Sequence, residues 1–181
     1  DIKVIFSGEG SDEASGSYLY FHNAPNPTEF QKESIRLVRD VQYFDVLRSD
    51  RTTAGAGLEI RVPFFDKDFM KYYMSINPTK KIVRDGMEKY LLRKSFEKEL
   101  PEEIVWRRKD GFSDGVSKKE KPWYEIINDY TMKNYKLPEK EYYLYVYKKY
   151  YDGFENVVPY YWMPKWTDNI GDNPSGRLII D

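Results

Sequence analysis

The sequence predicts an α/β fold that is mostly helical, with one or a few parallel strands at its N-terminus. Three observations carry this. The opening run Ile2-Lys3-Val4-Ile5-Phe6 is short and β-branched, which is how a strand buried on both faces of a parallel sheet reads. It leads directly into Ser7-Gly8-Glu9-Gly10-Ser11-Asp12-Glu13, where glycine ends the strand and Ser11 or Asp12 can cap a helix running toward Tyr20. Beyond that point apolar residues recur mainly at helical spacing and no other convincing strand is visible. A parallel strand needs neighbours, so most of its sheet is expected from residues that precede this chain.

The glycine turn is the first stretch with chemistry in it. A strand, a glycine turn and a helix start bring backbone N–H groups together as an anion site. Glu9, Asp12 and Glu13 would repel a bare phosphate there. A divalent cation removes that conflict, because Mg²⁺ takes one or two carboxylates together with phosphate oxygens. The same residues also read as a solvated turn with capping acids, and short glycine motifs are weakly specific.

The next elements follow in order. His22 is the single histidine of the chain; with no cysteine near it, it is a poor metal ligand and reads as a helix-end or surface residue. Thr28-Glu29-Phe30-Gln31 resembles a capping box, and Leu37, Val38, Val41, Phe44 and Leu47 at helical spacing predict a helix from about Glu29 to Ser49. Its exit, Arg48 to Gly57, is rich in small and polar residues and reads as a turn or a join between helices. Arg48 and Arg51 are ordinary solvated cations on that reading, although an arginine beside small residues can hold phosphate or carboxylate bidentately. Leu58 to Asp66 reads as a link in which Glu59 and Arg61 form a structural pair. Asp66 is a natural N-cap for a helix over 67–75, which Asn77-Pro78 stops. Gly86-Met87-Glu88-Lys89 opens a further helix through about Phe96, with Met87, Tyr90 and Leu91 on its buried side.

Trp106-Arg107-Arg108-Lys109-Asp110-Gly111-Phe112-Ser113-Asp114-Gly115 is the second chemical stretch, an ordered loop of two glycines, a tryptophan and clustered cations. A lysine on such a loop can offset the charge that builds on a polyphosphate as its α–β bond breaks. Beyond it the reading is architectural. Trp123, Ile126, Ile127 and Tyr130 form one apolar face after Pro122, and Tyr142, Tyr143, Val146, Tyr147 and Tyr150 form another after Pro138. The tail from Val157 reads as extended and irregular, pinned by Trp162 and Trp166.

Composition bounds the function. The chain of 181 residues is long enough for one domain with a sizeable core. Its 29 basic and 30 acidic residues leave no field to recruit nucleic acid or an anionic membrane. No apolar run approaches membrane-spanning length. Zero cysteines exclude disulfides and thiolate zinc sites.

Read together and in order, VIFSGEGSDE, GSYLYFHNAPNP, FDVLRSDRTTAGAGLEIRVPFFDKDF, EKYLLRKSF, WRRKDGFSDGV and YYWMPKWTDN resemble the C-terminal half of the glutamine-hydrolysing asparagine synthetases, the animal type most closely. The resemblance runs from Ile2 to about Gly176. It implies the C-terminal part of an ATP pyrophosphatase domain, of the adenine-nucleotide alpha-hydrolase-like kind. It also implies a cytoplasmic enzyme that in its intact form is often a homodimer. An upstream glutaminase domain and a pyrophosphate loop of the type SGGxDS, both expected from the resemblance, are absent from this chain. A fragment without them is expected to be inactive alone.

The implied reaction uses ATP, Mg²⁺, aspartate and ammonia from glutamine, through β-aspartyl-AMP. Carried over residue by residue, Ser7 and Gly8 contact the nucleotide, Glu9 acts at the adenylated intermediate, Asp12 serves Mg²⁺ and pyrophosphate, and Lys109 is the active-site lysine. Arg51 is a further ligand-contact candidate. The chain departs from the pattern at Asp110-Gly111, where relatives usually carry glutamate and then alanine or glutamine, and this loosens the backbone around Lys109. Two other classes compete: a related carboxylate-adenylating enzyme such as a β-lactam synthetase, and a non-catalytic binding remnant.

Overall fold

A computed structural model describes residues 2–111 and 121–167, which fall into two units, Asp1–Arg108 and Lys109–Asp181. In the first, β1 (Val4–Phe6) pairs in parallel with β2 (Glu59–Arg61), Ile5 opposite Ile60. The parallel strand at the N-terminus is therefore present, and two expectations are corrected. The segment read as a link holds a strand, whose alternation of Leu58, Ile60 and Val62 with Glu59 and Arg61 has the period of two that marks a half-wet strand. Nor is β1 buried on both faces: Ile2, Val4 and Phe6 are exposed, because β2 is its only ladder partner among the described residues. Glu59 and Arg61 do form an ion pair, two residues apart on one face of β2.

Helix α1 (Ser11–Ser15) follows the glycine turn and ends at Gly16, whose left-handed backbone (φ 59°) only glycine adopts cheaply. A Cβ at Gly16 would strike the rings of Phe30 and Phe21. Those two rings meet edge to face at 4.9 Å, and Tyr20 lies 4.8 Å from Phe21. With Ala14, Leu37, Tyr73 and Val105 they make the apolar core of this unit, where a fully buried phenylalanine contributes about 1.5–3 kcal/mol.

Helix α2 (Pro27–Asp40) starts earlier than predicted. Pro27 sits at its first position and Asn26, not Thr28, is the cap, with its side chain accepting the Glu29 N–H at 2.9 Å. Its inner stripe carries Phe30 and Leu37 but also Glu33, fully buried yet bonded by Arg36 and by the Tyr20 hydroxyl at 2.8 Å. The single long helix expected to Ser49 is broken at Phe44 (φ −125°, ψ −113°). A short 3₁₀ turn, Val41–Tyr43, precedes the break and α3 (Asp45–Gly55) follows it. The stretch read as a turn is thus helical, and its small polar residues are tolerated because α3 buries none of them.

Helix α4 (Lys67–Ser75) is as predicted, with Asp66 accepting the N–H groups of Asp68 and Phe69. Beneath it Lys81 is only 1 % exposed. Its ammonium donates to the Tyr73 carbonyl at 3.3 Å and lies 5.4 Å from that ring, and burial pushes it down to about 8. The helix expected from Gly86 starts later. Arg84 and Met87 bridge across Asp85 and Gly86, both left-handed, and α5 (Tyr90–Ser95) begins after a left-handed Lys89. Helix α6 (Glu102–Val105) closes the unit.

In the second unit, α7 (Trp123–Tyr135) and α8 (Glu139–Tyr151) follow Pro122 and Pro138 as expected. The Asn128 side chain accepts the Glu139 N–H at 3.1 Å, and Tyr135 packs on Tyr142 at 4.5 Å. The apolar face read on α7 is largely exposed at Trp123, Ile126 and Tyr130, while Thr131 is the buried residue. On α8, Tyr143 and Tyr150 are exposed and Tyr142, Val146 and Tyr147 half-buried. After a 3₁₀ turn at Glu155–Val157 the chain is irregular to Thr167, with Trp162 and Trp166 half-buried. The rest of the predicted tail, and Phe112 to Gly115 of the basic loop, lie outside the described residues. No helix among the described residues is long and apolar enough to cross a membrane.

Candidate functional site

The site begins where β1 runs out. The Ser7 N–H still bonds the Arg61 carbonyl at 2.9 Å, so the ladder fixes the first residue of the loop. The Ser7 hydroxyl oxygen then accepts the Glu9 N–H at 3.3 Å, and the Ser11 N–H returns to the Gly8 carbonyl at 3.2 Å. Gly10 makes the turn possible: its φ is 91°, and a Cβ there would come within 2.6–2.9 Å of the Phe65 ring. Gly8 needs no such freedom, and a Cβ on it would meet nothing within 4 Å. Gly10, not Ser11 or Asp12, occupies the N-cap of α1, and no side chain caps that helix. Capping therefore does not engage the acids, which have other partners.

Glu9 and Asp12 take theirs from distant segments, and Glu13 takes its own from Tyr18 nearby. Glu9 accepts a hydrogen bond from the Ser49 hydroxyl at 2.7 Å, and the Arg48 guanidinium stands 3.6 Å from the same oxygen and 3.4 Å from Asp45. Asp12 pairs with the Lys89 ammonium at 2.5 Å and accepts the Ser17 hydroxyl. Lys89 also lies 3.0 Å from the Ser11 hydroxyl. Glu13 turns inward and is 3 % exposed. The Tyr18 hydroxyl is 2.6 Å from Glu13 and 2.9 Å from Asp45, and one hydroxyl proton cannot serve two carboxylates. Burial raises Glu13 above the usual carboxylate range against the lowering effect of the Tyr18 bond, and the charges of Asp45 and Asp12 raise it further. The Tyr18 hydroxyl donates to Glu13 or to Asp45, one of the two at a time. Tyr18 itself is pushed far up by burial and by the same two acids.

Ser7, Gly8 and Glu9 thus lie on the loop after β1, and Asp12 in the first turn of α1 that follows it. Arg51 lies on α3, 74 % exposed and paired to Asp50 at 3.0 Å, while Arg48, one turn earlier, reaches Glu9. Lys109 belongs to the second unit and is half-buried on the irregular segment after α6. Among the described residues no three His, Cys, Asp or Glu side chains gather as a ready metal set. Asp12, partly exposed at the loop surface, offers one carboxylate, which suits a Mg²⁺ that brings its remaining ligands on phosphate and water. A cavity of about 420 Å³ in the same unit has Lys89 in its wall, but Phe64, Phe69, Leu92, Phe96 and Ile104 make it too apolar for a triphosphate.

Sequence reasoning missed Tyr18, Asp45 and Lys89 and left Arg48 as a solvated cation. Asp45 and Arg48 stand three apart inside the helix predicted to Ser49, a spacing that signals their pairing but not the reach of Arg48 to Glu9. Lys89 had one usable signal, the Asp85-Gly86 pair, which marks a tight turn and sets the following residues off the helix.

A family model described as asparagine synthase matches residues 23–162. The chain is 45 % identical to a chicken (Gallus gallus) protein named asparagine synthetase [glutamine-hydrolyzing], with 99 % of this chain and 35 % of that protein covered. Proteins of the same name from Homo sapiens and Bos taurus are 43 % and 42 % identical over the same shares. The chain therefore spans about a third of the length of the curated relatives it matches.

Proposed function

The chain belongs to the asparagine synthase family, and on that premise we propose that it is the C-terminal portion of an ATP pyrophosphatase-type synthetase domain making asparagine from aspartate. The observation that carries the reading is the pairing of the loop acids. Solvated capping acids would point to water, whereas Glu9 is held by Ser49 and Arg48 and Asp12 by Lys89, groups 40 and 77 residues away along the chain. Such cross-chain pairing of charge at a glycine turn fits a site that exchanges these partners for a charged ligand.

The reaction then runs in two steps. The aspartate side-chain carboxylate attacks the α-phosphorus of ATP, the α–β bridge breaks, and pyrophosphate leaves. Ammonia attacks the resulting β-aspartyl-AMP carbonyl and AMP departs, giving asparagine. Ser7 and Gly8 hold the nucleotide through a hydroxyl and a backbone donor. Glu9 takes the proton of the attacking ammonia, a role that needs a carboxylate fixed in place, as Ser49 fixes this one. Lys89 and Lys109 offset phosphate charge, and Arg51 contacts the ligand at the edge of α3. Asp12 would hold a Mg²⁺, which when bound supplies charge to the leaving pyrophosphate. Ammonia comes from glutamine in a further domain of the same enzyme, a cytoplasmic homodimer.

Aspartate-dependent ATP–pyrophosphate exchange in the intact synthetase that carries this chain tests the proposal. Lys109→Ala should lower the exchange rate by about a hundredfold, the scale of one electrostatic group. An unchanged rate would remove Lys109 from the site, and exchange that ignores aspartate in the unaltered enzyme would remove the proposal.

A further inference from the structure

The turn that presents Lys89 is held by a cluster that the reaction does not use. His22 lies in the last turn of the 3₁₀ segment Leu19–Asn23, whose Tyr20 and Phe21 are fixed in the core. Its side chain is only 12 % exposed, and its Nε2, which no described group hydrogen-bonds, faces the Glu88 carboxylate at 3.6 Å. Glu88 is itself buried, and Arg93 bonds both its carboxylate at 2.8 Å and its carbonyl at 2.9 Å. The next residue is Lys89, a non-glycine in the left-handed region at φ 56°. Such a backbone costs energy and persists only where its surroundings dictate it. Arg93 lies on α5, the helix that Lys89 itself starts, and also donates to the Val105 carbonyl of α6. His22 ties the cluster to the 3₁₀ segment and, through Tyr20 and Phe21, to the core on that side.

We propose that His22 is a positioning residue: by docking the Glu88 side chain against the core it fixes the strained Lys89 backbone, and so aims the Lys89 ammonium at Asp12 and Ser11. This reading uses the nucleotide loop of the proposed function but concerns geometry that exists before any ligand binds. Removing the imidazole should release Lys89 from Asp12 without unfolding the chain.

Amine acetylation of the 181-residue chain, read residue by residue by peptide mass, follows that release. Exposed Lys32 and Lys94 set the reference rate and buried Lys81 reports unfolding. In His22→Leu, Lys89 should be acetylated about threefold faster or more while Lys81 stays protected, the mark of a local opening. His22→Gln, whose amide can reach toward Glu88 in place of the imidazole, should restore much of the protection. An unchanged Lys89 rate in the leucine variant overturns the proposal. If Lys81 rises as well, that variant has unfolded and His22→Asn decides, since its shorter amide cannot span to Glu88. Lys89 faster with Lys81 protected then supports the proposal, and both protected overturns it. A second readout separates this from the function. In the intact synthetase His22→Leu should raise KM for ATP more than it lowers kcat, and should add nothing in a Lys89→Ala background. Additive effects would make His22 merely structural, whereas a Lys89→Ala enzyme with unchanged kinetics would fault the use of Lys89 in catalysis and leave the acetylation result standing.

Discussion

On either side of the Asp12–Lys89 ion pair stands a buried carboxylate, next to it in sequence, and the two are held in opposite ways. Glu13, beside Asp12, has a tyrosine hydroxyl and another acid for company, so burial wins and lifts it above the ordinary 4.5. Glu88, beside Lys89, is raised by burial too but has His22, its own backbone amide and Arg93 around it, and they hold it below that value. Burial alone therefore does not set the direction in which a buried acid shifts; its partners decide as well. One flank of the ion pair is anchored by a carboxyl that burial raises, and the other by a carboxylate that its partners lower. Lys89 and Asp12 thus meet as two side chains fixed independently.

The comparison can be broken from its charged side first. Glu88→Leu leaves the Arg93 guanidinium buried without its counter-charge and should cost about 3 kcal/mol in urea unfolding at pH 7. Because Glu88 is depressed when folded, the stability it gives is present above pH 4.5 and is lost as the pH falls through its lower folded value. The Glu13 side should respond far less. Glu13→Gln keeps the shape and the hydrogen-bonding groups, and its effect at pH 7 should stay within about 1 kcal/mol. The sign with pH is opposite as well. The folded chain retains on Glu13 a proton that the unfolded chain loses near 4.5, so stability declines as the pH rises from there through the raised value. Unfolding curves between pH 4 and 8 should show that decline in the unaltered chain and its loss in Glu13→Gln. A large loss of stability in Glu13→Gln at pH 7 would mean that both acids are charged anchors and that the contrast is false.

Much of this was legible in the sequence where one residue type does one physical job. Asp66 capped its helix as read, Pro122 and Pro138 preceded theirs, and the glycine turn after β1 lies where the β-branched run stops. What stayed hidden depended on context. Glu59-Ile60-Arg61 carries two charges in three residues and reads as a linker until its pairing with Val4 to Phe6 is seen. Phe44 breaks a helix through its backbone angles, not through any breaker residue. His22 read as a surface or helix-end residue because nothing local announces a carboxylate 66 positions on. The loop acids were legible as candidates, but their partners Ser49, Arg48 and Lys89 came only with the tertiary structure.

The most direct test of the account is the partition of the two half-reactions in Glu9→Gln of the intact synthetase, supplied with ATP, aspartate and ammonia. Pyrophosphate release should persist while asparagine formation falls by about a hundredfold or more, the span of one general base, with the melting curve unchanged. Asparagine formed at the normal rate by that variant would contradict the account, since the carboxylate that Ser49 and Arg48 hold at the loop would then have no part in the chemistry.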